Sequence, residues 1–207
     1  MGVDTNSFNP DGCNQNIRKK YNINGPLLLF VGRLSEKKGI KYLIQAIPKI
    51  LVNFPKTKLL IVGKGEEESE LKKTMNHLSL SENIIFTGAI ENKELPAYYI
   101  AADIFIGPSI ITKDGDREGF GLVFAEALSS NCVTISTDLP SISDIIINNK
   151  TGFTVKQKNP DEISNKVIEI LKNNNKKIII AGRKHIVDNF DWKIIAQKYS
   201  NLVKRID

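Results

Sequence analysis

Cysteine is scarce in this chain: two in 207 residues, at positions 13 and 132. They form no CxxC pair. A chain of this length can bury a core without a disulfide staple, so a reducing compartment is the expectation. Histidine is equally sparse. His77 and His185 stand far apart with no ligand spacing between them, so no metal site is expected. No apolar run approaches the ~20 residues that a membrane-spanning helix needs. The opening Met1-Gly2-Val3-Asp4 leads into polar residues rather than the apolar core of a secretory signal. Internal repeats and low-complexity stretches are missing too. These absences predict a soluble, cytoplasmic protein that could still work at the inner face of a membrane.

Charge is present but dispersed. The formal net charge is +6 and the pI is about 9.2. A basic balance suits nucleic acid, an anionic membrane or a phosphorylated small molecule. Runs such as Arg18-Lys19-Lys20 and Lys176-Lys177 are short and read as solvated helix faces. Neither an RNA-binding aromatic signature nor zinc-finger spacing occurs. No nucleic-acid partner is expected, although a basic nucleic-acid-binding module stays open as an alternative of another class, with steep salt dependence as its mark.

Apolar runs alternate with helical periodicity. Segments 26–32, 58–63, 83–88, 103–106 and 132–136 read as strands. The first two are continuous apolar runs ended by Gly32 and Gly63, as strands buried on both faces require. Helical spacing covers 38–54, 66–78, 92–101, 119–129 and 141–147, then 160–173, 176–188 and 191–205. Asn159 and Pro160 supply N-cap and N1 residues. Residues 1–25 are rich in Asn, Asp, Gly and Pro and read as a linker and entry segment with one short helix near 17–21. This alternation predicts an α/β fold, a Rossmann-like parallel sheet flanked by helices, over residues 26–190. Ligands of such sheets bind beyond the carboxyl ends of the strands, at a topological switch point.

Two strand ends carry chemistry. After the first strand comes Gly32-Arg33-Leu34-Ser35-Glu36-Lys37-Lys38-Gly39. The glycine admits close approach to the backbone, and Arg33 and Lys38 could clamp a diphosphate beside a helix N-terminus. The same two cations could equally be surface charges in a polar loop. After the fourth strand comes Glu118-Gly119-Phe120-Gly121-Leu122-Val123-Phe124-Ala125-Glu126-Ala127. The amides of Gly121, Leu122 and Val123 would form an anion site. Glu118 lies just before this helix and Glu126 about two turns into it; eight residues is a little over two helical turns, so both can face the same side. Burying Glu126 unpaired would be costly, so it should have a specific partner unless it sits at an exposed edge.

These stretches resemble the family 4, group 1, glycosyltransferases. The spacing Glu118-x7-Glu126 is similar to the family's hallmark, and Gly32-Arg33-Leu34 with Lys38-Gly39 is similar to its phosphate motif. Further similar stretches follow in order: Ile61-Val62-Gly63-x-Gly65, Phe86-Thr87-Gly88, Tyr99-x-x-Ala102-Asp103-Ile104-Phe105, Pro108-Ser109 and Thr151-Gly152-Phe153. Phe190-Asp191-Trp192 with Tyr199 resembles its closing helix. Departures lie at Pro140-Ser141 and Asp144, where the family has Gly-Gly and Glu, at Asn149, and at Asn131-Cys132-Val133.

The resemblance implies the C-terminal lobe of a two-lobed glycosyltransferase B architecture. Residues 1–25 would be the interdomain linker, and 191–207 a C-terminal helix packing back toward a missing N-terminal lobe. The full protein would be a retaining, metal-independent hexosyltransferase of polysaccharide or lipopolysaccharide synthesis. It would have no cofactor and a UDP-sugar or GDP-sugar as donor. Its acceptor, a glycan or glycolipid, would bind the missing lobe, and the whole protein could associate peripherally with a membrane. This lobe alone would bind donor and transfer nothing. Arg33, Lys38 and Glu118 would act in catalysis. Gly32, Gly63, Ile90, Gly119, Phe120, Gly121, Leu122, Val123 and Glu126 would contact the donor with Arg33 and Lys38. Glu126 would take the ribose hydroxyls, Glu118 the sugar hydroxyls, and Gly88-Ala89-Ile90 the base. A sugar-nucleotide epimerase lobe is the alternative on the same fold.

Overall fold

Six parallel strands lie in the order β3-β2-β1-β4-β5-β6 in a computed structural model that describes residues 1–11 and 16–203. Cys13 and Arg205, the expected end of the last helix, lie outside the described residues. The strands are β1 (Leu27–Val31), β2 (Lys58–Val62), β3 (Ile84–Gly88), β4 (Ile104–Gly107), β5 (Val133–Thr137) and β6 (Phe153–Val155). Every residue of β1, β4 and β5 is buried, as continuous apolar runs inside a parallel sheet require. The chain builds outward from β1 to β3, then returns to the other side of β1 with β4. The crossovers from β1 and β4 therefore run in opposite directions, and the switch point lies between these two strands.

Helices cover both faces. On one side α2 (Ile40–Asn53), α3 (Glu68–His77) and α6 (Pro160–Lys172) pack through Leu43, Ile47, Leu71, Ile163 and Val167. On the other, α1 (Ile17–Lys20), α4 (Leu95–Ala101), α5 (Leu122–Ser129) and α7 (Lys176–Phe190) pack through Ile17, Tyr98, Tyr99, Phe124, Leu128 and Ile186. The α6 cap forms as the sequence predicts: the Asn159 side chain accepts from the Glu162 amide at 3.0 Å.

Three expectations need correction. Segment 141–147 is no α-helix; only a 3-10 turn, Pro140–Ile142, forms there. Side chains take the backbone groups a helix would use. Ser143 Oγ donates to the Pro140 carbonyl at 2.8 Å. Thr151 Oγ1 accepts from the Ile147 amide at 2.8 Å and donates to the Ile145 carbonyl at 3.1 Å. Second, Phe153–Val155, to which no element was given, pairs with β5 as the sixth strand. Third, α3 starts at Glu68 rather than Glu66, which frees Glu66 to face the β1 loop.

The described part of the opening segment is docked on the core. Val3 donates to the Phe190 carbonyl at 2.8 Å and accepts from the Trp192 amide at 3.1 Å. Thr5 Oγ1 donates to Asp191 Oδ2 at 2.6 Å. Phe8 and Ile23 are buried beside Val3 and Ile17. The final helix, α8 (Trp192–Val203), leaves Trp192, Tyr199 and Val203 exposed.

Candidate functional site

The β1 and β4 loops meet at the switch point because Gly39 leaves room for them. Gly39 sits at φ +61° between the 3-10 turn Glu36–Lys38 and α2, and a Cβ there would fall 2.1 Å from the Pro108 carbonyl oxygen. The Ile110 amide donates to the Lys37 carbonyl at 2.8 Å, closing the contact. A cleft of about 370 Å³ opens between the loops, with Arg33, Lys37, Lys38, Glu66 and Asp116 among its wall residues.

Both expected cations stand in this cleft, and each already holds a carboxylate. Lys38 Nζ pairs with Glu118 Oε2, and the two side chains are only 14% and 12% exposed. Arg33 Nε meets Glu66 Oε2 at 3.2 Å, with both side chains largely in solvent. Glu66 titrates below its usual range, first through its own backbone amide and then through Arg33. Lys37 pairs with Asp116 at 3.1 Å across the same opening.

The fourth-strand loop differs from expectation. α5 begins at Leu122, not 119, and Gly121 precedes it at φ +72° with no side-chain cap. The Leu122 and Val123 amides, without partners inside the helix, therefore point out of its N-terminus. Glu118 lies before the helix, as expected, and outside the helical phase that places Glu126. Its place is set instead by Lys38 and by Ser141, whose hydroxyl donates to the Glu118 carbonyl at 2.6 Å. Gly119 is open to solvent, while the Phe120 ring leans on Phe190, 6.1 Å between centroids.

Glu126 is 5% exposed and does have the specific partner that burial demands: Tyr99 Oη donates to its Oε2 at 2.9 Å. The exposed-edge possibility is thereby removed. Burial pushes the Glu126 carboxyl above its ordinary pKa, and the Tyr99 hydrogen bond offsets part of that. Burial, and then the Glu126 charge, hold the Tyr99 phenol well above its ordinary value.

The remaining expected contacts are spread along the sheet. Gly32 and Gly63 abut: a Cβ on Gly63 would fall 1.9 Å from the Gly32 carbonyl oxygen, so Gly63 locks the ends of β1 and β2 together. Ile90 is half-buried against the core, past the end of β3 and two strands from β1. Glu118 and Glu126 do not line the cleft that holds Arg33 and Lys38. Glu66, Ser141 and Tyr99 hold candidate site residues in place without being marked as site residues in the sequence. Tyr99 was findable, because a buried glutamate calls for a hydroxyl or cation nearby. The other two contacts depend on loop geometry that has no local signature. Among the described residues no group of three or more His, Cys, Asp or Glu side chains is arranged to hold a metal, and no helix is long and apolar enough to cross a membrane.

The pattern of the group 1 glycosyl transferases matches residues 14–185. The chain belongs to this family. The GDP-mannose-dependent alpha-(1-6)-phosphatidylinositol monomannoside mannosyltransferase of Mycobacterium tuberculosis is 30% identical over 211 aligned residues, covering 100% of this chain and 55% of that protein. The chain thus spans about half the length of the curated relatives it matches. The C-terminal domain of a group 1 family glycosyl transferase from Francisella tularensis superposes with a TM-score of 0.80 at 27% identity, over 92% of this chain and 100% of that one. A glycosyltransferase from Rickettsia africae shares the fold, with a TM-score of 0.87 at 24% identity, over 100% of this chain and 56% of that one. The sheet is therefore the C-terminal lobe of the glycosyltransferase B architecture. The comparisons favour neither the epimerase nor the nucleic-acid alternative.

Proposed function

We propose that this chain is the donor-binding domain of a retaining, metal-independent glycosyltransferase whose donor is a nucleoside-diphosphate sugar. The observation that carries the reading is the Lys38–Glu118 pair, which ties the β1 loop that carries Arg33 to the segment just before the uncapped N-terminus of α5. As the sugar departs, negative charge grows on the diphosphate. Arg33, Lys38 and the Leu122 and Val123 amides are fixed donors for that charge. Losing one donor of this kind costs roughly 10²–10³ in rate. Glu118, held by Lys38, is within that group to take the sugar hydroxyls, and Glu126 takes the ribose. The glycines Gly32 and Gly119 leave backbone accessible there, Gly121 at positive φ turns the chain into α5 with Phe120 beside it, and Gly63 and Ile90 frame the base end.

The mycobacterial relative's name specifies GDP-mannose and a phosphatidylinositol mannoside. GDP-mannose is accordingly the first donor to test here, UDP-glucose the second, and a glycolipid the first acceptor. Residues 1–25 serve as the linker and α8 as the helix that meets the acceptor lobe. The full protein works in the cytoplasm, beside the membrane that holds a lipid acceptor, and this domain alone binds donor without transfer.

Calorimetry with UDP, GDP and their sugar nucleotides, with and without EDTA, tests the reading. Metal-independent binding that Glu126→Ala weakens supports it. Unchanged affinity in Glu126→Ala removes the ribose assignment, and loss of binding on chelation removes metal independence.

A further inference from the structure

Tyr99 lies in the middle of a packed aromatic row. Its ring meets Phe8 at 6.0 Å and Phe105 at 5.5 Å, both edge-on, and Phe105 meets Phe124 of α5 at 5.5 Å. The row fixes where the phenol points, since aromatic rings in edge contact inside a core have little freedom. The hydroxyl at its end reaches one atom of α5, Glu126 Oε2. We infer that Tyr99 is a positioning residue for donor binding: it holds one oxygen of the Glu126 carboxylate so that the other is presented to a ribose hydroxyl. The inference rests on the assignment of Glu126 to the ribose.

A carboxylate accepts from a hydroxyl more strongly than a carboxylic acid does. Burial favours protonation of Glu126, and the Tyr99 hydrogen bond acts against it in favour of the carboxylate. Other ionisable groups near the pair are differently engaged. The Cys132 thiol, before β5, is pushed up by burial and stays neutral. Arg183 of α7 donates to the Ser129 and Phe8 carbonyls. Asp103, before β4, pairs with Arg18.

The test is calorimetric titration of GDP-mannose and UDP-glucose between pH 5.5 and 8 with the wild-type chain, Tyr99→Phe and Glu126→Gln. Sugar nucleotides are chosen because both phosphates are esterified, which removes the free-phosphate ionisation near pH 6. Tyr99→Phe should bind more weakly than wild type by a margin that widens toward acid, reaching about tenfold at the acid end. Glu126→Gln should bind weakly and without pH dependence. A Tyr99→Phe profile that overlays wild type, or a loss equal at every pH, overturns the positioning role. A Glu126→Gln protein that binds like wild type instead overturns the ribose assignment itself. Should Tyr99→Phe fail to fold, Tyr99→3-fluorotyrosine, a stronger donor, should carry the profile to lower pH. No movement, or movement the other way, overturns the inference.

Discussion

The two ends of the candidate donor site are built in opposite ways. At the phosphate end, Arg33 and Lys38 stand in an open cleft, each already paired with a carboxylate that is not part of a helix. At the ribose end, Glu126 is buried on α5 and fixed by one phenol behind which an aromatic row is packed. The first arrangement lets charge exchange partners, because an anion arriving at Arg33 replaces Glu66 in a solvent-rich setting where ion pairs are worth little. The second cannot exchange, and its geometry exists before ligand arrives. Under the proposed assignment, recognition of the nucleoside would be preorganised, while recognition of the diphosphate at Arg33 would work by substitution.

The largest way to break this contrast is at the ribose end. Glu126→Ala should weaken nucleotide binding roughly 30–100-fold, as expected for losing charge-assisted hydrogen bonds. Glu126→Gln should weaken binding too, yet raise the melting temperature at neutral pH. The sign follows from the raised pKa. The folded state binds this proton more tightly than the unfolded one, so this group's contribution is fully present below the unfolded pKa and is lost as pH rises through the folded pKa. A neutral amide escapes that loss. Melting curves of both proteins from pH 5 to 8 check it: the advantage of Gln should grow with pH.

Next in size is Lys38→Ala. It leaves Glu118 half-enclosed without its cation and should cost on the order of 1–3 kcal/mol of stability, less than a fully buried pair would. It should also lose about tenfold or more in diphosphate affinity. The double variant Lys38→Ala, Glu118→Ala should recover stability in denaturant titrations but not affinity. Recovery of both would mean that the pair is purely structural.

Arg33→Ala should leave the melting temperature unchanged, since its pair is exposed. It should weaken UDP or GDP by about tenfold while sparing the nucleoside; equal losses for both would argue against a diphosphate contact. The smallest effect is expected from Glu66→Gln, which removes the competing carboxylate and should tighten diphosphate binding about twofold at low salt, fading as salt rises.

The sequence disclosed the sheet because buried parallel strands leave continuous apolar runs, and 26–32 and 58–63 are such runs. It also disclosed Arg33 and Lys38, whose charges stand right after a strand. It failed where the deciding interactions are distant. β6 has only three residues, too few for a periodicity, and its pairing with β5 forms across α5-side turns stabilised by Thr151. The 141–147 segment has helical apolar spacing at Ile142, Ile145 and Ile146, but serine and threonine hydroxyls capture its backbone. The common face for Glu118 and Glu126 was counted in helical turns, and Gly121 at positive φ interrupts that count between them. What replaced helical phase was a lysine 80 residues away in sequence.

The chain has a single tryptophan. Trp192 stands at the junction of the docked N-terminal segment and α8, and a Cβ on Gly2 would fall 3.3 Å from its ring. The indole is half in solvent. Its emission is consequently an optical gauge of that junction. It should shift to the blue when another surface closes over α8.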